Sequence, residues 1–400
     1  MISVQTDRHD AVNANAEFRN GGLLTIWRDL TSEPAEIDRI PQSTREPTKN
    51  ETPRGETEGA NCAPGQMALP TVNGEWRTGS YSQSRKMRRL TSLAVRALIE
   101  EAELTPKPAL ADDRGGGVQE GLSVSLMRRS AHCLEPFFEL IALISLEQIP
   151  TQTLREELGT IGRWAEHSML QCTDQVSTHR GAIWVFGLLV SAAAMGAASA
   201  EAIAETARQI ACLPDRNASK KEIHGLQATR PYRSTGARAE AQAGFPSIIA
   251  AGLPRLHLSR EIDESETLAR LNALLAIMTG LNDARLLQQG GQAALKTAQV
   301  GAASILEAGG IARPEGWKLF QQLDRDLLAL KSSPRGSADM LAATIFIDYV
   351  SRAEELDIEV VSPDRKPAST STRQHSVRPG RDIVQVSPED RVPTITGRDA

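Results

Sequence analysis

Between about residues 88 and 355, apolar side chains recur at intervals of three and four, the spacing of one face of an α-helix. Leu90, Leu93, Ala94, Ala97 and Leu98 predict a first helix. Leu126, Leu134, Phe137, Phe138, Ile141 and Ile144 predict one over Leu122–Leu146, with Pro150 as its stop. Trp317, Phe320, Leu323, Leu327 and Leu330 mark another, opened by Pro314 near its first turn. The same spacing predicts helices over about 153–170, 180–212, 238–251, 265–288, 292–309 and 337–355. Alternating runs of strand type are nearly absent. The reading is an all-α fold, a single multi-helix domain of about nine to eleven helices over residues 86–355. No repeat of solenoid length interrupts it.

Composition bounds that domain. Residues 1–85 and 356–400 are rich in Pro, Ser, Thr and charged residues. They hold too few large apolar side chains to offset the entropy of ordering, so both are expected to be disordered tails. A net charge of −5 with 4% aromatics lacks the basic, aromatic-studded face of a nucleic-acid binder. Gly181–Ala200 is uncharged and long enough to span a membrane. Its Ala, Gly and Ser content instead predicts a helix buried among other helices. No N-terminal segment has a signal-peptide layout, and Cys62, Cys133, Cys172 and Cys212 are widely separated. A cytoplasmic protein without membrane partners is expected.

The chemistry-bearing residues gather at the predicted joints between helices, where binding groups usually sit. Glu101 precedes Thr105-Pro-Lys107-Pro108, whose prolines fix the backbone around Lys107. Thr178, His179, Arg180 and Gly181 open the long apolar segment, where free backbone N–H groups favour anions. Arg238 and Glu240 begin another helix. Asp283 precedes Gly290-Gly291, and Ser333 and Ser337 precede Asp339. Carboxylates near helix starts with Lys and Arg on constrained turns suit phosphate and Mg²⁺, which takes one or two carboxylates plus phosphate oxygens. Taken singly, each acid also reads as a helix cap.

In order, these joints resemble the triphosphoribosyl-dephospho-CoA synthase family. The segments that carry the resemblance begin with Ala97–Pro108 (ALIEEAELTPKP), Leu126–Ala131 (LMRRSA) and Thr178–Trp184 (THRGAIW). Gly236-Ala-Arg238 with Glu240, Gly244-Phe-Pro246, Leu286–Gly291 and Ser333–Asp339 complete the series. The Glu103–Pro108 and Thr178–Trp184 wording looks closer to the malonate decarboxylase branch than to the citrate lyase branch. The resemblance implies transfer of the 5-triphosphoribosyl group of ATP to the 2′-hydroxyl of 3′-dephospho-CoA, with adenine released. ATP is then a substrate and Mg²⁺ the cation, and the product serves the malonate decarboxylase acyl carrier protein. It further implies catalytic roles for Glu101, His179, Glu240, Asp283 and Asp339, with Asp283 and Asp339 on the metal. Lys107, Thr178, Arg180, Gly181, Arg238, Gly290, Gly291, Ser333 and Ser337 would bind substrate or phosphate.

The sequence departs from the family pattern at several joints. Ala109 stands where Gly is usual, and Gln119 and Gly121 stand where a His and an Asp are expected. Asp174-Gln175-Val-Ser177 replaces Gly-Gly-Val-Asn, Ala239 and Arg335 replace glycines, and Asn282-Asp283-Ala284 replaces Asp-Asp-Thr. Two readings follow: an active synthase, and a diverged relative that binds nucleotide or CoA without releasing adenine.

Overall fold

The computed structural model describes residues 68–69, 77–78, 81–218, 236–262 and 264–361. Most of the two expected tails, with Cys62, lies outside these residues. The helical body belongs to the first of two compact units, Met1–Asp357. Of the second unit, Ile358–Ala400, the described residues end at Val361.

The described residues are helical almost throughout, as the all-α reading expects. The exceptions in strand form are Ala68–Leu69 and Arg77–Thr78, paired antiparallel. The helices are α1 (Tyr81–Glu103), α2 (Val124–Cys133), α3 (Glu135–Ser145), α4 (Gln152–Cys172) and α5 (Arg180–Ala194). They continue with α6 (Ala200–Cys212), α7 (Gly236–Gln242), a π-helical turn (Ser247–Gly252) running into α8 (Leu253–Glu261), and α9 (Glu266–Gly280). Then come α10 (Ala284–Glu307), α11 (Pro314–Ala329) and α12 (Arg335–Val361).

Local chemistry sets the boundaries. Ser123, Thr151, Ser199 and Ser265 each accept the N–H of the third residue onward, which caps α2, α4, α6 and α9. The pattern over Leu122–Leu146 is two helices: Leu134 ends α2, and Pro136, which lacks an N–H, sits in the first turn of α3. The segment 180–212 also divides, at Gly196 with φ 108°. A single helix over 265–288 is excluded by the extended backbone of Leu281 and Asp283. Gly290-Gly291 falls inside α10, where Gly291 (φ 63°, ψ −156°) kinks the helix.

Helix α5 is buried on nearly every side from Ala182 to Ala194, as its composition predicts. Its Phe186 packs between Phe138 of α3 and Phe346 of α12 in tilted pairs, at 5.7 and 5.5 Å between centroids. Helix α12 is equally enclosed from Met340 to Ile347. Small residues bring its neighbours close: a Cβ on Gly252 would stand 2.7 Å from Thr344 Oγ1. No described helix is long and apolar enough to cross a membrane. The two buried helices, α5 and α12, begin beside one another, and that meeting point holds the candidate site.

Candidate active site

Three helix starts and one long loop converge. Asp283 caps α10 through Oδ1, which accepts from Arg285 N at 2.9 Å and Leu286 N at 3.4 Å. Its other oxygen accepts from Ser337 N at 2.9 Å and Ser337 Oγ at 3.2 Å. A Cβ on Gly336 would lie 2.9 Å from this carboxylate, so the absence of a side chain there lets the starts of α10 and α12 meet. Burial pushes the Asp283 carboxyl up, against the pull of these donors.

One turn into α12, Asp339 reaches the first turn of α5. A Cβ on Gly181 would stand 2.0 Å from Asp339 Oδ2, and Ala182 N–H donates to the carboxylate. The helix start expected to attract an anion therefore holds the protein's own carboxylate. Burial pushes Asp339 up to about 8, helped by the charges of Glu101 and Asp283 and opposed by Arg335.

The loop between α1 and α2 brings the next pair. Lys107, only 2% exposed, turns back onto the end of α1. Its Nζ donates to Glu101 Oε1 at 2.7 Å, Glu101 O at 2.6 Å and Ala102 O at 3.4 Å. Three ammonium donors are thus directed inward rather than toward an open cleft. The loop is clamped from both sides: Lys107 N donates to Asp112 Oδ2 at 2.7 Å, and Arg114 Nη2 donates to Lys107 O at 2.7 Å. Arg114 also pairs with Asp324 of α11 at 2.8 Å, and Asp324 accepts from Ala109 N at 2.7 Å.

His179 lies beneath Arg335 and beside Lys107. Its Nδ1 is 2.8 Å from Ser130 Oγ, which is 2.6 Å from Thr178 Oγ1. Its Nε2 is buried and has no hydrogen-bond partner among the described residues. Burial, then the charges of Arg335 and Lys107, lowers the imidazole to about 3, so the ring is neutral at physiological pH. Arg335 donates to Gln119 Oε1 and to the carbonyls of Ser177 and Thr178, that of Ser177 at 2.8 Å. Burial lowers its proton affinity too, although Asp339 counters this.

Glu101, Lys107, Thr178, His179, Gly181, Asp283, Ser337 and Asp339 are thus brought together. Ser333 N–H donates to Gln289 Oε1 at 2.9 Å, and a Cβ on Gly290 would lie 2.4 Å from Ser332 Oγ, so these residues fix the approach to α12. Gly291 supplies the kink described above. Arg180 is directed elsewhere: it is 68% exposed and pairs with Glu166 of α4 at 2.7 Å. Glu240 accepts from Ser247 Oγ at 2.6 Å and holds the turn before α8. Arg238 lies over Trp184, 5.5 Å from the ring centroid. Ser130, Asp112, Arg114, Asp324 and Arg335 are the contributors that sequence reasoning did not select. Ser130 stands within the Leu126–Ala131 segment and Arg335 within Ser333–Asp339, so the motifs marked the right loops but not these side chains.

Residues 87–357 match the family described as ATP:dephospho-CoA triphosphoribosyl transferase. A probable 2-(5''-triphosphoribosyl)-3'-dephosphocoenzyme-A synthase of Pseudomonas fluorescens (strain Pf0-1) is 47% identical over 270 residues, 66% of this chain and 92% of the relative. The 2-(5''-triphosphoribosyl)-3'-dephosphocoenzyme-A synthase of Klebsiella pneumoniae is 47% identical over 263 residues, 65% of this chain and 94% of the relative. No solved structure matches the chain. With the match running from α1 to α12 and through every joint of the site, the chain belongs to the ATP:dephospho-CoA triphosphoribosyl transferase family.

Proposed function

We propose that this chain transfers the 5-triphosphoribosyl group of ATP to the 2′-hydroxyl of 3′-dephospho-CoA and releases adenine, supplying the prosthetic group of the malonate decarboxylase acyl carrier protein. The single observation that carries the transfer reading is the seating of Asp339 on the first turn of α5, beside Glu101, Asp283 and the neutral His179. Substitution at the anomeric carbon builds positive charge on the ribose ring, and acids gathered at one point stabilise it. Burial raises Asp339 and Asp283 and lowers the imidazole, which separates the protonation states of acid and base. His179 Nε2 is the proton acceptor for the attacking hydroxyl, with Ser130 and Thr178 fixing the ring through Nδ1. As a weak base, lowered to about 3, it takes that proton late, when bonding to the anomeric carbon has acidified the hydroxyl. Lys107 holds Glu101 in place, and Asp283 holds Ser337 and the start of α12.

The acids also bear on Mg²⁺. Among the described residues no three His, Cys, Asp or Glu side chains converge as a metal cage. The cation would therefore be shared between a carboxylate and substrate phosphates. Asp339 fits that role better than Asp283, whose two oxygens already receive four donors. Bound there, Mg²⁺ would neutralise phosphate charge.

The Glu103–Pro108 and Thr178–Trp184 wording supports the malonate branch, and the separated cysteines support a cytoplasmic setting. The second reading, binding without transfer, is favoured by Arg335, whose guanidinium already engages Gln119 and two carbonyls of the site. An adenine-release assay with ATP, dephospho-CoA and Mg²⁺ separates the two. The transfer reading expects release that needs both substrates and is lost in Asp339→Asn and His179→Gln. Substrate binding with no adenine under any condition would establish the second reading instead.

A further inference from the structure

A cluster of opposite charge lies on α4, α5 and α7. Helix α4 carries Arg155, whose side chain is 2% exposed. Its guanidinium lies 4.8 Å from the centroid of the Trp184 ring on α5, and Arg238 of α7 approaches the same ring at 5.5 Å. Asp215 Oδ2 accepts from Arg163 Nη1 at 2.8 Å and stands 3.7 Å from Arg155 Nη1. Glu156, the other nearby acid, is engaged by Arg216 at 2.5 Å and by Gln152 at 2.8 Å. Two guanidinium groups, Arg155 and Arg238, therefore lie over one indole, and Arg163 shares the Asp215 carboxylate with Arg155.

Two of the donors are buried without an acceptor. Arg155 Nε and Trp184 Nε1 have no hydrogen-bond partner among the described residues. A buried guanidinium with an unpaired Nε donor and two like charges close by is expensive in a folded chain, and an anion relieves both terms. Burial lowers the proton affinity of Arg155; Asp215 opposes this, while Arg238 and Arg163 add to it. Short stretches of chain link the cluster to the acids. Trp184 is three residues beyond Gly181 on α5, a rise of about 4.5 Å. Gly236, two residues before Arg238, donates to Asn282 O at 3.1 Å, next to Asp283.

We infer that Arg155, Arg163, Arg238 and the Trp184 indole N–H form a subsite for the phosphoanhydride chain of a substrate. Planar guanidinium groups offer paired donors to phosphate oxygens, and the indole adds one more. The identity of the substrate rests on the transfer reading; the binding itself does not. ATP and dephospho-CoA both carry such a chain, and the subsite's chemistry suits either.

The test is calorimetric titration of the full chain with inorganic tripolyphosphate. Arg155→Gln and Arg238→Gln should each weaken binding about ten- to a hundredfold, the loss expected for a charged hydrogen bond. The accompanying change in indole fluorescence should vanish in Trp184→Phe. Should Arg155→Gln fail to fold by circular dichroism, the half-buried Arg238→Gln decides alone. Absence of binding to wild type at millimolar tripolyphosphate, or equal affinity in Arg238→Gln, overturns the inference. Displacement of tripolyphosphate by ATP alone assigns the subsite to the triphosphate, and displacement by dephospho-CoA alone assigns it to the diphosphate. Displacement by neither overturns its role toward substrate. A chain that binds tripolyphosphate through these arginines yet releases no adenine keeps the subsite and loses the transfer reading.

Discussion

Replacing Asp339 with asparagine keeps the shape and the acceptor for Ala182 N–H but removes the titrating proton. Asp339 is raised from the usual 3.8 to about 8. Between those values the folded chain holds a proton that the unfolded chain has released, so stability falls as pH rises through the window. At about 1.4 kcal/mol per pH unit, the ionisable group destabilises the fold by roughly 4 kcal/mol at pH 7 relative to a neutral side chain. Residual solvent access makes this an upper bound. Asp339→Asn should therefore unfold at higher urea than wild type at pH 7 while releasing no adenine, and the gain should fade toward pH 4. His179 works in the opposite sense. Lowered from 6.5 to about 3, it makes the unfolded chain bind the extra proton, so its contribution is lost as pH falls below about 6.5. Between about pH 4 and 6.5 the two slopes oppose one another in wild type, and Asp339→Asn should shift the net slope toward that of the histidine. Urea midpoints from pH 4 to 8 for both proteins check this. A variant no more stable than wild type at pH 7, or a difference independent of pH, refutes the reasoning.

Gly181→Ala should cut the turnover number at least about a hundredfold and destabilise by roughly 1–3 kcal/mol, because its Cβ would stand 2.0 Å from Asp339 Oδ2; steady-state adenine release and urea unfolding check both. Lys107→Met leaves the buried Glu101 unpaired and should cost about 3–5 kcal/mol, recovered in large part by the double variant with Glu101→Gln in urea unfolding. Gln175→Gly should raise the stability measured in the same way by about 1 kcal/mol, since this exposed residue holds φ at 66°.

The helices were legible because burial on one face imposes a three-and-four spacing, and α4 and α11 follow it closely. Their breaks were less legible. Gly196 and Pro136 act through backbone torsion and a missing donor, which leave the apolar period intact on either side. At the site, the motifs named the right loops but could not orient their side chains. Thr105-Pro-Lys-Pro suggests a lysine aimed into a cleft, yet Asp112, Arg114 and Asp324 clamp the loop and Lys107 turns back onto the end of α1. Asp112 and Arg114 are on the same loop, but Asp324 is 215 residues from Ala109. Arg180 and His179 are adjacent in sequence yet part at the helix start, one to solvent and one to the core.

The departures from the family pattern take a different meaning once their backbone is known. Ala109, Asp174 and Gln175 stand where glycines are usual, and all three keep φ between 53° and 66°. The left-handed turns are thus retained without the residue that adopts them most easily, at a strain of roughly 1–2 kcal/mol each. Gln119 and Arg335, the replacements for a histidine and a glycine, are hydrogen-bonded to each other. A guanidinium entering alone among buried donors would be unfavourable; here Gln119 Oε1, two carbonyls and the field of Asp339 receive it. Gln119 thus accommodates Arg335, and the site holds a fixed positive charge beside its raised acid. That charge holds Asp339 lower than burial alone would, so Arg335 moderates the proton occupancy of the residue on which the transfer reading rests.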